Sequence, residues 1–201
     1  IMSIPREEYE TVARRADLLV PAEEIERAMD RMAAEISAEL SGADPLILCV
    51  MTGAVVVVGR LLPRLGFRLR LDYLHATRYR EATTGGELTW LHRPADAIRG
   101  QHVLVVDDSL DEGITLDAAV RVCRDDGAAS VRSAVLVEKD RPRTRPCKPD
   151  FVGVTVPDRY VYGYGLDYRG YFRNAAGIYA VASVDLGRSD DSEVSTVGTR
   201  D

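Results

Sequence analysis

Val103-Leu104-Val105-Val106-Asp107-Asp108-Ser109-Leu110-Asp111-Glu112-Gly113-Ile114-Thr115-Leu116 changes character twice within a short span. His102 to Val106 is an apolar run with the composition of a buried strand. Acids, a serine and a glycine follow. From about Thr115 to Asp126 apolar residues return at helical spacing, and Gly127 ends the pattern. Strand, polar loop and helix form the unit of an open α/β sheet, which binds ligands at the carboxyl ends of its strands. A helix start offers unpaired N–H groups and a partial positive charge. Gly113 allows close backbone approach and Thr115 adds a hydroxyl, so residues 111–115 can wrap a phosphate monoester. The Gly-Lys pair of a P-loop is missing, which argues against an NTPase.

The carboxylates around this loop need their own account. Acids near a helix start can act as caps or dipole partners, worth about 0.3–1 kcal/mol each. Asp107, Asp108 and Asp111 beside a phosphate would repel it unless something lay between. Ribose hydroxyls donate well to carboxylates, and a magnesium ion would offset the charge. The segment therefore describes a pocket for a sugar phosphate with a free 2′,3′-diol.

Outward from this centre, strands and helices alternate. Leu46 to Met51 is a continuous apolar run, expected as a strand buried on both faces; Thr52-Gly53-Ala54 follows, then a helix from Val55 to Leu65. Arg68 to His75 reads as a strand with Leu69, Leu71 and Tyr73 on one side, and Leu88 to His92 as a short one. Residues 78–87 read as a polar, mobile loop. Val131 to Val137, Phe151 to Val156 and Ile178 to Val181 complete the strands. Residues 5–17 and 21–40 read as helices; in the second, Ile25, Ala28, Met29, Met32, Ala33, Ile36 and Leu40 make one core-facing side, Pro21 suits the first turn and Gly42 the stop. The order predicts an α/β fold with a mainly parallel sheet, in one domain over residues 1–185, followed by a Ser- and Asp-rich tail (186–201) expected to be disordered.

The 201-residue chain is 46% hydrophobic and 29% charged, with a formal charge of -6. The acidic balance argues against a nucleic-acid-coating protein but leaves room for a local basic site. No apolar run reaches the roughly 20 residues of a membrane helix, and the start shows no secretory signal. Cys49, Cys123 and Cys147 share no metal-ligand spacing; Cys49 and Cys123 are expected as buried thiols, and a cytoplasmic location is expected.

The segment from Val105 to Thr115 resembles the PRPP-binding motif of type I phosphoribosyltransferases. Downstream, Val137-Glu138-Lys139-Asp140, Lys148-Pro149-Asp150-Phe151-Val152-Gly153, Val156 to Tyr168 and Tyr171-Phe172-Arg173-Asn174 resemble the hypoxanthine-guanine phosphoribosyltransferases in order and spacing. The resemblance spans about Leu46 to Val181. It implies the type I phosphoribosyltransferase fold, with a small hood built by the N- and C-terminal segments. It also implies a purine-salvage reaction: hypoxanthine or guanine plus PRPP gives IMP or GMP plus pyrophosphate, with Mg²⁺ as cofactor and through an oxocarbenium-like transition state.

The same resemblance assigns roles. Asp111 would meet the purine N7 proton, as general base or charge stabiliser. Asp107 and Asp108 would hold the ribose hydroxyls, and Asp111, Glu112, Gly113, Ile114 and Thr115 would form the 5′-phosphate loop. Thr52, Gly53 and Arg173 would bind pyrophosphate, with a non-proline cis bond expected at 51–52 or 52–53. Lys139 would donate to the purine O6, Tyr160 would stack on the base, and Val161 would read its edge through the backbone carbonyl. Asp167, with Asp107 and Asp108, would serve the metal, and Arg78-Tyr79 would belong to a lid that excludes water. Four positions depart from the family pattern. Thr52 stands where Lys is frequent, Arg78 where Ser or Thr precedes the tyrosine, Ile114 where some relatives carry a basic residue, and Ser109 where an apolar one is common. Family members are usually dimers or tetramers, so a homo-oligomer is expected, with the N-terminal helices as candidates for forming it. The competing readings are a phosphoribosyltransferase-like regulator that binds PRPP or nucleotides and nucleic acid, and a transferase preferring xanthine or a pyrimidine.

Overall fold

The computed structural model describes residues 3–78, 88–141 and 146–186. Its framework is a six-stranded sheet with the order β4-β3-β2-β5-β6-β7. The strands are β2 (Leu46–Met51), β3 (Arg70–Arg78), β4 (Leu88–His92), β5 (His102–Leu110), β6 (Ser130–Asp140) and β7 (Phe151–Pro157). All neighbours pair in parallel except β4, which runs antiparallel to β3 at one edge. The α/β class with a mainly parallel sheet is therefore observed. β2 and β5 lie at the centre, and Ile47, Leu48, Leu104, Val105 and Val106 are fully buried between layers.

Helices α3 (Val55–Leu61), α4 (Ala95–Ile98) and α5 (Ile114–Asp125) connect the strands, and α2 (Ala22–Leu40) lies across β7 and touches α3. In α2 the apolar positions Ile25, Ala28, Met29, Met32, Ala33, Ile36 and Leu40 are all buried. Each of the larger ones removes enough apolar surface from water to contribute about 1.5–3 kcal/mol. That face is consumed within the chain, so it cannot also serve an assembly.

A second sheet of three strands, β1-β9-β8, is antiparallel and joins the chain's two ends. It contains β1 (Asp17–Pro21), β8 (Val161–Tyr162) and β9 (Gly177–Ala180). Around it, Val12 of α1 (Arg6–Arg15) packs with Tyr162, Tyr168, Phe172 and Val181 in a separate aromatic core. This is the hood expected over the sheet. A four-residue helix, α6 (Ser183–Leu186), closes the described chain.

Several boundaries correct the sequence reading. Pro21 ends β1 instead of opening α2, and β1 itself, half exposed and only five residues long, carries too little alternation to announce itself. The strand near residue 178 belongs to the hood and not to the main sheet. β5 extends to Leu110, so Asp107 and Asp108 lie within the strand, and β6 reaches Asp140, so Lys139 is in the strand instead of just past it. The helix from Val55 tightens into a 3-10 turn at Leu62–Arg64. In β3 the side carrying Leu71 and Tyr73 is open to solvent at 53% and 39% exposure, and Leu74 on the opposite side is the buried one. The 79–87 segment and the tail from 187 fall outside the described residues.

Candidate active site

The strand order places β2 next to β5, although β2 leads through α3 to β3 on one side and β5 leads through α5 to β6 on the other. The two strands are parallel, but the strand order reverses between them, and a crevice opens at their carboxyl ends. Thr52 and Gly53 come from one lip, and Asp107 to Thr115 from the other. Both segments line a cavity of about 280 Å³ together with Asp167 and Arg173. An adjoining cavity of about 220 Å³ is lined by Asp108, Ser109, Asp111, Lys139, Tyr160, Val161, Leu166 and Asp167. Asp108, Ser109, Asp111 and Asp167 belong to both, so two neighbouring ligand groups would meet above them.

The first cavity has the chemistry of an anion cradle at its α5 end. Gly113 precedes the helix at φ 80°, a left-handed conformation that glycine adopts without strain. Gly113, Ile114, Thr115 and Leu116 form the wall of the crevice there, and a helix start carries unpaired amides suited to an anion. On the opposite lip the Met51–Thr52 peptide is cis. Gly53 lies so close to Asp108 that a Cβ there would overlap the Asp108 carboxylate, and a Cβ on Gly165 would overlap the Gly53 carbonyl. Gly165 thus packs on the Gly53 backbone and Gly53 on the Asp108 carboxylate, two approaches that a side chain at either glycine would disturb.

The floor is acidic. Asp107 is 7% exposed, and its Oδ1 accepts the Asp108 amide at 2.9 Å. Burial, and then the charge of Asp108, raises the Asp107 carboxyl well above the usual carboxylate range. Asp108 is raised as well, chiefly by burial, while Asp107, Arg173 and Ser109 oppose that shift. Two adjacent buried carboxyls disfavour a double charge, so a ligand offering hydroxyl donors or a cation would relieve the pair. Arg173 is bound into the site. Its Nη2 lies 2.6 Å from Asp167 Oδ1, and its Nη1 donates to the Gly165 carbonyl. Asp167 also accepts the Gly170 amide at 2.7 Å. The residues assigned to pyrophosphate and to metal therefore pair with each other here.

In the second cavity Lys139 is 9% exposed, and its Nζ donates to Asp111 Oδ2 at 2.6 Å. Tyr160 keeps 41% of its surface exposed and meets Tyr168 edge-on, with ring centroids 5.7 Å apart. The Tyr160 carbonyl accepts the Val181 amide, which anchors the ring to the hood, and Val161 begins β8 beside it. The structure thus gathers Thr52, Gly53, Asp107, Asp108, Asp111, Glu112, Gly113, Ile114, Thr115, Lys139, Tyr160, Val161, Asp167 and Arg173 around two joined cavities. Arg78 ends β3, and Tyr79, with the rest of the expected lid, lies outside the described residues. Arg141 and Asp158 were not read from the sequence. Arg141 Nη1 lies 2.8 Å from Asp111 Oδ1, and its Nε donates to Asp158 at 2.7 Å. Nothing in a lone arginine beyond a strand distinguishes such a contact from a surface charge.

Comparison with known proteins agrees with this geometry. A model of the phosphoribosyl transferase domain matches residues 16–169. The hypoxanthine-guanine phosphoribosyltransferase of Bacillus subtilis (strain 168) is 32% identical over 158 residues, covering 78% of this chain and 88% of the relative. The hypoxanthine-guanine-xanthine phosphoribosyltransferase of Tritrichomonas foetus is also 32% identical, covering 78% of this chain and 86% of its own length. A solved structure of Trypanosoma cruzi hypoxanthine phosphoribosyl transferase superposes with a TM-score of 0.79 at 25% identity, over 86% of this chain and 94% of that one. With the switch-point crevice, the glycine-led helix and these matches, the chain belongs to the phosphoribosyltransferase family, among the hypoxanthine-guanine phosphoribosyltransferases.

Proposed function

We propose that this protein is a purine-salvage enzyme that transfers the phosphoribosyl group of PRPP to hypoxanthine or guanine, forming IMP or GMP and pyrophosphate. The observation that carries the reading is the adjacency of two cavities: one has a helix-terminal anion cradle, and the other a buried lysine beside an aspartate and an open tyrosine face. The bond from the anomeric carbon to pyrophosphate breaks, a bond from that carbon to the purine nitrogen forms, and the base gives up a proton.

In this reading the amides at Gly113 to Thr115 hold the 5′-phosphate and orient the sugar. Asp107 and Asp108 accept the ribose hydroxyls, whose donors suit a buried acid pair. The backbone at Thr52 and Gly53, with Arg173, receives the departing pyrophosphate. Lys139 donates to the purine O6, Tyr160 stacks on the ring, Val161 reads the base edge, and Asp111 meets the N7 proton. Adenine, with an amine at the sixth position, leaves the lysine facing a donor and is a poor substrate.

Mg²⁺ would be held by one or two of the acids Asp107, Asp108 and Asp167, and when bound it supplies charge neutralisation to pyrophosphate. Among the described residues no cluster of three or more His, Cys, Asp or Glu is close enough to cage a metal alone. Magnesium is usually held by one or two carboxylates plus phosphate and water oxygens, so its coordination would be completed by PRPP. Among the described residues no helix is long and apolar enough to cross a membrane. A cytoplasmic homo-oligomer, dimer or tetramer, completes the reading.

The test is direct. Protein, Mg²⁺ and PRPP are mixed with hypoxanthine, guanine, xanthine or adenine in competition, and nucleotide is followed by chromatography. IMP and GMP are expected, with AMP at background. Absence of any nucleotide product would remove the enzyme assignment.

A further inference from the structure

The ion pairs at the shared wall of the two cavities extend beyond the residues that line them. Asp111 is held from both sides: Lys139 Nζ lies 2.6 Å from Oδ2, and Arg141 Nη1 lies 2.8 Å from Oδ1. The Arg141 side chain is only 20% exposed, and its Nε also donates to Asp158 Oδ1 at 2.7 Å. Asp158 stands in the tight turn between β7 and β8, two residues before Tyr160, and the Arg159 amide in that turn donates to the Pro157 carbonyl at 2.7 Å. Arg159 in turn reaches Asp17 of β1 at 2.7 Å. A single guanidinium therefore ties the loop after β5 to the turn that carries the stacking tyrosine. The contact to Asp158 is a directed hydrogen bond and the contact to Asp111 an ion pair, so the guanidinium holds one carboxylate by direction and the other by charge.

The arrangement also resolves a competition. One of the three Lys139 donors is committed to Asp111 Oδ2, so the position of the ammonium is shared between that carboxylate and a purine O6. If Arg141 keeps one oxygen of Asp111, the lysine can turn toward the base without releasing the carboxylate to swing. Resting on the catalytic role proposed above for Asp111, we propose that Arg141 is a positioning residue. It fixes the Asp111 carboxylate toward the base and frees Lys139 for 6-oxopurine recognition, and Asp158 is its anchor. Arg141 touches no reacting atom in this account.

The test compares wild type with Arg141→Gln, Arg141→Lys, Asp158→Asn and the Arg141→Gln/Asp158→Asn double variant, using steady-state IMP formation and thermal melts. With Arg141→Gln, kcat falls on the order of tenfold, the scale of a misplaced catalytic group. The hypoxanthine KM rises severalfold, the PRPP KM stays within about twofold, and the melting temperature stays near that of wild type. Arg141→Lys recovers part of kcat, Asp158→Asn gives a smaller loss of the same kind, and the double variant is no worse than Arg141→Gln. Unchanged kinetics in Arg141→Gln overturns the positioning role while leaving the enzyme assignment intact. Equal loss in both KM values together with a lowered melting temperature also overturns it, in favour of a merely structural contact. A wild type that makes no IMP overturns the reading on which the role rests, and the role falls with it.

Discussion

Asp111 and Lys139 form a 2.6 Å charged contact at the shared wall of the two cavities, and each residue separates a different property of the reaction. Asp111→Asn keeps the size of the side chain and its place in the loop but removes the basic carboxylate. Turnover is expected to fall on the order of 10²-fold or more, the lower range for a general base, while PRPP binding measured by calorimetry persists. Lys139→Ala removes the donor to O6 and leaves a partly enclosed acid without that cation. Its kcat/KM for hypoxanthine and guanine is expected to drop on the order of tenfold or more, with a larger loss for 6-oxopurines than for adenine. Equal losses across all bases would show that Lys139 acts on Asp111 and not on the base. The two thiols read as buried are so: Cys49 and Cys123 are pushed up to about 11 and about 12, chiefly by burial, which makes them poor nucleophiles at neutral pH.

The crevice depends on how closely three backbone segments approach. The turn after β2 meets the Asp108 carboxylate at Gly53, and the loop before Arg173 meets that turn at Gly165. In Gly53→Ala the new methyl collides with the end of a side chain, which can swing aside, so the fold is expected to survive. The carboxylate that would hold a ribose hydroxyl moves with it. The PRPP KM is therefore expected to rise on the order of tenfold with a nearly unchanged melting temperature, a pattern of misplacement and not of unfolding. A wild-type KM in that variant would mean that Asp108 does not contact the sugar. Helix α5 follows the same logic, since Gly113 supplies the left-handed turn that opens it at the crevice wall.

Across the whole chain, a charged hub on α2 joins the hood side to α3 and lines a cavity that Arg173 also borders. Glu26 of α2 accepts the Tyr164 hydroxyl from the hood side and pairs with Arg60 and with Arg64, the latter at 2.5 Å. The Tyr164 hydrogen bond first, then the two arginines, lower the Glu26 carboxyl from its ordinary 4.5 to about 2. A carboxyl depressed in the folded state contributes stability above its unfolded value, and that contribution is lost as pH falls from about 4.5 through about 2. Denaturant unfolding of wild type and Glu26→Gln across that window should show wild type more stable at pH about 5, with the gap closing as the solution is acidified. A gap independent of pH would assign the effect to shape instead of charge.

Local chemistry was enough to make the centre of the molecule legible in advance. The apolar runs at 46–51 and 102–106, the amphipathic face of α2 and the Asp-rich loop ahead of α5 express preferences of short segments, so burial, fold class and the position of the candidate loop could be read in order along the chain. The partnership of Lys139 with Asp111, separated by 28 positions, could not be read that way. Neither could Arg141 bridging Asp111 to Asp158, the hub at Glu26, or the pairing of β1 with β9 across most of the chain. These contacts join residues whose local sequences are ordinary. They exist because the sheet order sets β5 beside β6 and the two chain ends pair in the hood, and only the folded chain sets those distances.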